Sequence, residues 1–259
     1  MLRYFDKSGS IVSSTTLSHV VHNISYNIHR MAADSHRDEQ SLDDLQQAPY
    51  EEPQYIFVIA GPSGCGKSSV AKHVAEQLNY TFIEGDDCHS KENKAKMGNG
   101  TPLTDEDRKG WLNTLRKEIV TTLETAGTKG CVVTCSALKR QYRNEIRKAR
   151  KEASKKAGKV ILWYIFLEGS QDLLEERVEE RGKRENHYMK AKMVASQFKI
   201  LEMPDESEPD VATIKVDQPL DQVKKAAVQR ACAIQDMPLD DALIAQEMAL
   251  KARAATETS

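Results

Sequence analysis

One eight-residue stretch constrains this chain more than any other: Gly61-Pro-Ser-Gly-Cys-Gly-Lys-Ser68. It fits the spacing G-x-x-x-x-G-K-[ST] in full, and its flanks are those the spacing requires. Before it runs Tyr55-Ile-Phe-Val-Ile-Ala60, a continuous apolar stretch that suits a buried parallel strand. After it, Val70, Val74 and Leu78 recur at helical spacing. A strand, a glycine turn and a helix in that order wrap backbone N–H groups around an anion and aim the helix N-terminus at it. Gly61, Pro62, Ser63, Gly64, Cys65, Gly66, Lys67, Ser68 and Ser69 are therefore read as a nucleotide-phosphate cradle. In it Lys67 serves the β- and γ-phosphates and the Ser68 hydroxyl serves Mg²⁺. A glycine turn that binds nothing is the competing reading, and both flanks weigh against it.

The same alternation continues downstream. Strands are expected at Tyr80–Ile83, Gly130–Cys135, Val160–Leu167 and Thr213–Val216. Helices are expected within Lys91–Thr125 (broken near Gly98–Pro102), at Ser136–Lys156, Asp172–Glu180, Ala191–Glu202 and Leu220–Ile234. Thr104, with Asp107 three residues on, marks a helix start. The fold class is α/β: a three-layer P-loop NTPase arrangement, a parallel sheet with helices on both faces. Residues 1–53 are polar and lack a period, so they read as a poorly ordered extension. Residues 54–235 read as the domain, and 236–259 as a helical or disordered tail.

With 37 basic and 39 acidic residues, the chain has no global field to draw in nucleic acid or an anionic membrane. The most basic segment, 139–159, has ten Lys or Arg against two Glu but a single aromatic, Tyr142, not the interleaved series that RNA binding uses. No run approaches the ~18 apolar residues of a membrane span. The five cysteines fit no zinc spacing and read as free thiols of a reducing, cytoplasmic setting. Residues 7–33 lack Asp and Glu and faintly resemble an organelle-targeting segment, but they carry only two basic residues. A plain extension is the preferred reading.

The cradle alone does not separate kinases from other nucleotide users. Asn-Lys-x-Asp is missing, and no apolar strand ends in the Asp of a second, metal-binding motif. Carboxylates appear instead after the second strand, in Glu84-Gly-Asp-Asp87. Asp86 there can orient or deprotonate an acceptor hydroxyl, or hold Mg²⁺ through water. A helix N-cap is the structural alternative. This points to a small-molecule phosphotransferase, with a non-catalytic binding module as the rival.

Several segments in order carry a resemblance: Gly61–Ser68; Gly85-Asp-Asp-Cys-His89 with Asn93 and Lys96-Met97; Gly100–Arg108 with Trp111-Leu112; Cys135-Ser-Ala-Leu-Lys-Arg-Gln-Tyr-Arg143; His187 ahead of Ser196-Gln-Phe198; and Val216–Leu220. Over roughly 55–234 the chain resembles the small P-loop gluconokinases, relatives of shikimate and adenylate kinases. The resemblance implies phosphorylation of D-gluconate by ATP at the 6-hydroxyl, with Mg²⁺, and a homodimer that no residue pattern here specifies. Asp86, His89, Arg108, Lys139, Arg143 and His187 become candidates for the sugar acid. Arg108 and Arg143 are the carboxylate anchors, because a guanidinium grips a carboxylate through two bonds. Residues Arg177–His187 resemble a mobile lid, with Arg177 and Arg181 on one helical face toward adenine or the transferring phosphoryl group. Gln218 and Pro219 fall where the family contacts adenine through backbone. Glu84 stands where Asp is usual, and residues around Lys183–Asn186 are extra. Another sugar acid or shikimate stays open as the acceptor.

Overall fold

A computed structural model describes residues 52–185, 190–238 and Ala242, all within the unit Glu51–Ser259. The expectations for the N-terminal extension before residue 52, for His187 and for nearly all of the tail lie outside the described residues.

The central strand β1, Gln54–Ala60, is the apolar run that precedes the glycine turn. It leads into helix α1, Lys67–Leu78, which Asn79 closes in a left-handed conformation with φ 55°. Strand β2, Thr81–Ile83, ends in a 3₁₀ turn at Gly85–Cys88. Helices α2, Lys91–Gly98, and α3, Asp105–Leu123, follow. The start of α3 is fixed by a reciprocal cap between Thr104 and Asp107. Then come β3, Gly130–Cys135; α4, Arg140–Ala157; β4, Val160–Glu168; α5, Gln171–Glu185; α6, Lys190–Phe198; β5, Val211–Lys215; and α7, Leu220–Gln235.

The five strands are all parallel in the order β2-β3-β1-β4-β5. Alternation along β1 builds two cores. Phe57 and Ile59 pack with Val70 and Val74 of α1 and Val223 and Ala227 of α7. Ile56 and Val58 face the other side, with Trp111, Leu115 and Ile119 of α3 and Ile146 of α4. Because every strand runs the same way, the chain leaves all five at one edge of the sheet, and there ligands of open α/β folds bind. The glycine turn leaves β1, the acidic turn leaves β2, Ser136–Lys139 leaves β3, and Val216–Pro219 leaves β5.

Several boundaries differ from expectation, among them the end of α6, which stops at Phe198 rather than Glu202. The helix after β3 begins at Arg140, four residues late, because Ala137 sits buried at φ 43° and breaks the helical path. The helix carrying Arg177 and Arg181 runs on through the charged stretch to Glu185. The final strand starts two residues early, its N-terminal end held by the Tyr164 N–H on the Asp210 carbonyl at 2.9 Å. Among the described residues no helix is long and apolar enough to cross a membrane.

Candidate active site

The turn between β1 and α1 is shaped for an anion. Gly61, Gly64 and Gly66 hold φ values of 134°, 87° and 93°. At Gly61 a Cβ would lie 2.5 Å from the Leu167 carbonyl oxygen, so only glycine lets β1 turn this closely over β4. The N-terminus of α1 has no side-chain cap and no acidic residue in its first turn. Its orphan N–H groups and its dipole thus face outward without a neutralising group, which is the chemistry that takes a phosphate. Lys67 Nζ rests on the Pro62 carbonyl at 3.0 Å, folded back over the loop it serves. Ser68 and Ser69 are exposed on the first turn. Cys65 is buried, and burial pushes its thiol up, so it is protonated filler rather than a nucleophile.

The acidic turn is pinned two strands away. The Thr134 hydroxyl on β3 donates to the Glu84 carboxylate and accepts the Gly85 N–H at 2.9 Å. Trp111 Nε1 donates to the Gly85 carbonyl at 2.7 Å. A side chain at Gly85 would run into the Thr134 carbonyl. These contacts present Asp86 outward, its side chain 77% exposed. Asp86 and Lys67 both act electrostatically on the buried Cys135 thiol at the end of β3, the strand between β1 and β2. Asp86 follows β2 and Lys67 follows β1, so the two lie on turns from the strands on either side of β3.

His89 is buried and stacks on Trp111 with ring centroids 4.1 Å apart. Burial, with the charges of Lys94 and Arg108, lowers its pKa to about 4. Its Nδ1 is buried without a hydrogen-bond partner among the described residues, and Nε2 lies 4.0 Å from Asp86. At neutral pH it is an uncharged imidazole beside the exposed carboxylate. This has a consequence for stability. The unfolded chain takes up the proton near pH 6.5 and the folded one only near pH 4. The contribution is whole above about pH 6.5 and is lost as pH falls toward about 4. His89→Phe, which keeps the stack, should flatten the fall in the urea midpoint over that window.

Arg108 and Lys139 converge. Both lie over the Tyr142 ring, each 5.6 Å from its centroid. Lys139 Nζ donates to both oxygens of Asp105 at 2.9 and 3.0 Å, and the Tyr142 hydroxyl donates to Asp105 as well. The bonds from Tyr142 and Lys139 hold the Asp105 carboxyl below its ordinary range. Arg108 donates to the Leu103 carbonyl at 2.5 Å and lies 4.0 Å from Asp105. Two cations and one carboxylate leave the cluster with one net positive charge.

Arg143 requires a correction. The sequence places it among the sugar-acid anchors, but its side chain is wholly buried and its guanidinium is spoken for. Nε and Nη2 grip Glu208 at 2.8 and 2.5 Å, and Nη1 donates to the Ala137 and Glu202 carbonyls at 2.9 and 3.1 Å. One turn on, Arg147 pairs with Asp210 at 2.6 and 2.8 Å and with Glu208 at 2.9 Å. Burial pushes Glu208 up, but the bonds and charges of Arg143 and Arg147 outweigh it and hold the carboxyl low. The fork that suits a substrate carboxylate is used inside the scaffold, tying α4 to the segment before β5. The sequence reading missed Arg147, Glu208 and Asp210 entirely.

On the other side of the cradle, Arg177 of α5 donates to the Val216 carbonyl at 2.7 Å. Arg181 is exposed one turn later. Gln218 Nε2 closes onto the Lys215 carbonyl at 2.9 Å, and Pro219 caps α7. A Cβ on Gly66 would meet Leu220 Cδ1 at 3.5 Å, so the loop after β5 abuts the cradle and leaves Leu220 partly exposed beside it. Among the described residues no three His, Cys, Asp or Glu side chains form a metal-binding group. All five cysteines are free.

Comparison with known proteins gives the family. Residues 56–202 match the family described as AAA domain. A probable gluconokinase of Schizosaccharomyces pombe is 45% identical over 170 residues, which cover 65% of this chain and 84% of the relative. The thermoresistant gluconokinase of Escherichia coli is 37% identical over 175 residues, 68% of this chain and 92% of the relative. The crystal structure of a gluconokinase from Sinorhizobium meliloti superposes with a TM-score of 0.58 at 36% identity, covering 72% of this chain and 95% of the other. With a phosphate cradle on β1, an acidic turn on β2 and relatives of this identity and coverage, the chain belongs to the gluconokinase family of P-loop kinases.

Proposed function

We propose that this protein is a gluconokinase that transfers the γ-phosphoryl group of ATP to the 6-hydroxyl of D-gluconate, giving 6-phospho-D-gluconate. The observation that carries the reading is the placement of Lys67, at the end of the turn after β1, and Asp86, in the turn after β2, at the same edge of the sheet with only β3 between their strands. One holds the donor phosphate and the other stands where an acceptor hydroxyl must approach.

The triphosphate lies along the Gly61–Ser69 loop, its charge met by the N-terminus of α1 and by Lys67. Asp86 accepts the hydrogen bond of the acceptor hydroxyl, aligns it for in-line attack and takes its proton as the bond forms. Neutral His89 adds a polar edge for the polyol without adding charge. Arg108 and Lys139 take the acceptor's carboxylate, and their single net positive charge matches a monoanion. Arg177 and Arg181 line the approach from α5, and Leu220, with the backbone at Gln218 and Pro219, offers a surface for the base. His187 belongs to the same proposal.

The hydroxyl of Ser68 and the exposed carboxylate of Asp86 are hard oxygen donors, too few for an all-protein cage. That set suits Mg²⁺, which is commonly held by one or two protein oxygens and the substrate's own phosphates. When bound, Mg²⁺ neutralises charge on the β- and γ-phosphates.

The direct test is acceptor-dependent ADP release with Mg-ATP, comparing D-gluconate with shikimate, glucose and no acceptor. Release that depends on gluconate supports the reading; release indifferent to acceptor removes the roles given to Asp86, Arg108 and Lys139. Lys139→Met should raise the KM for gluconate by about tenfold while leaving the KM for ATP nearly unchanged. A rise confined to ATP would move Lys139 to the nucleotide side.

A further inference from the structure

The cradle has a neighbour outside its own motif. The Ser63 backbone N–H donates to Oε1 of Gln197 at 2.7 Å, and Gln197 Nε2 donates to Ser63 Oγ at 3.1 Å. The amide's orientation follows from the chemistry. A backbone N–H only donates, so the amide atom facing it is the oxygen, and the nitrogen then falls on the hydroxyl. Gln197 lies near the end of α6, whose Val194 is fully buried in the core beneath, so packing sets its position.

Two consequences follow for Ser63. Its N–H is occupied by Gln197 and is not offered to a phosphate. Its hydroxyl oxygen accepts from the amide, which leaves the hydroxyl hydrogen free to donate elsewhere. Ser63 follows Pro62, whose carbonyl holds the Lys67 ammonium at 3.0 Å. This is the end of the loop where the lysine that serves the γ-phosphate sits.

We infer that Gln197 is a positioning residue for phosphoryl transfer: it holds Ser63 so that the hydroxyl donates to the γ-phosphoryl group. The inference rests on the phosphotransfer reading above and deepens it, because it gives the cradle a group that distinguishes ATP from ADP. The donor is fixed before the nucleotide arrives, and that preorganisation is where such a bond gains its effect on rate.

The test combines calorimetric binding of ADP and of a non-hydrolysable ATP analogue with steady-state kinetics. The variants are Gln197→Ala, Gln197→Glu, Ser63→Ala and the Ser63→Ala/Gln197→Ala double. Gln197→Ala should lower kcat about tenfold or more and weaken the ATP analogue, while ADP affinity stays within about twofold. The double variant should be no worse than Ser63→Ala, since both remove one unit. Gln197→Glu is the sharper probe. Its carboxylate still accepts the Ser63 N–H but also captures the hydroxyl hydrogen, so it should be impaired at least as much as Gln197→Ala. A purely structural role would instead weaken ADP and the ATP analogue alike and lower the Tm, with the single effects adding; that pattern overturns the inference. So does a Gln197→Ala enzyme with the kcat of the unaltered protein. Nucleotide binding needs no acceptor, so a failure of gluconate as substrate would be seen separately.

Discussion

Lys67→Ala is expected to lower turnover with gluconate by roughly 10³-fold or more, with the fold intact. The side chain is half-buried, and its one hydrogen bond among the described residues is to the Pro62 carbonyl of its own loop. Its removal therefore takes little from packing, and the Tm should scarcely change. On the proposed function it removes the cation that follows the γ-phosphoryl group through transfer, a charge that backbone N–H groups cannot supply. Because the cradle itself remains, ADP should still bind. Turnover within a few-fold of the unaltered protein would refute the phosphate site as drawn.

Arg143→Ala is expected to fail in the opposite way. The substitution strands Glu208, which is 2% exposed, with only part of its neutralising charge, and it leaves the Ala137 and Glu202 carbonyls without a donor. Breaking a buried ion pair by deleting one partner costs about 3 kcal/mol or more. Chemical denaturation should show that loss, while the fraction that remains folded keeps a KM for gluconate within about twofold of normal. Replacing both partners, as Arg143→Met with Glu208→Leu, should recover part of the stability, because no charge is then left buried alone. A large rise in KM without loss of stability would restore Arg143 as a substrate anchor.

The contrast between these two arginine and lysine sites shows what was legible in the sequence. Lys67 sits in a motif whose every function is local, so strand, turn and helix could be read from neighbouring residues. The same holds for the Thr104–Asp107 cap and for β1, where a run of apolar residues needs no distant partner to be recognised. Arg143 is different. Its partner lies 65 residues away, in a stretch from Pro204 to Asp210 that reads as an ordinary acidic loop. In a helix with so many Lys and Arg, periodicity gives no means of telling a buried guanidinium from a solvated one. The late start of α4 was equally hidden, since alanine at φ 43° carries no local preference for that conformation. Gln197 lies within the Ser196-Gln-Phe198 segment that carries the resemblance, yet its contact with Ser63 spans 134 residues and is visible only in the fold.

The most direct measurement is phosphorus NMR of the reaction of the full chain with Mg-ATP and D-gluconate, proton-coupled so that the phosphate's attachment is read from its splitting. The account predicts loss of the ATP γ-signal, growth of ADP, and one new phosphomonoester split by the two C6 protons. ADP with inorganic phosphate alone, or an ester at another carbon, would contradict it.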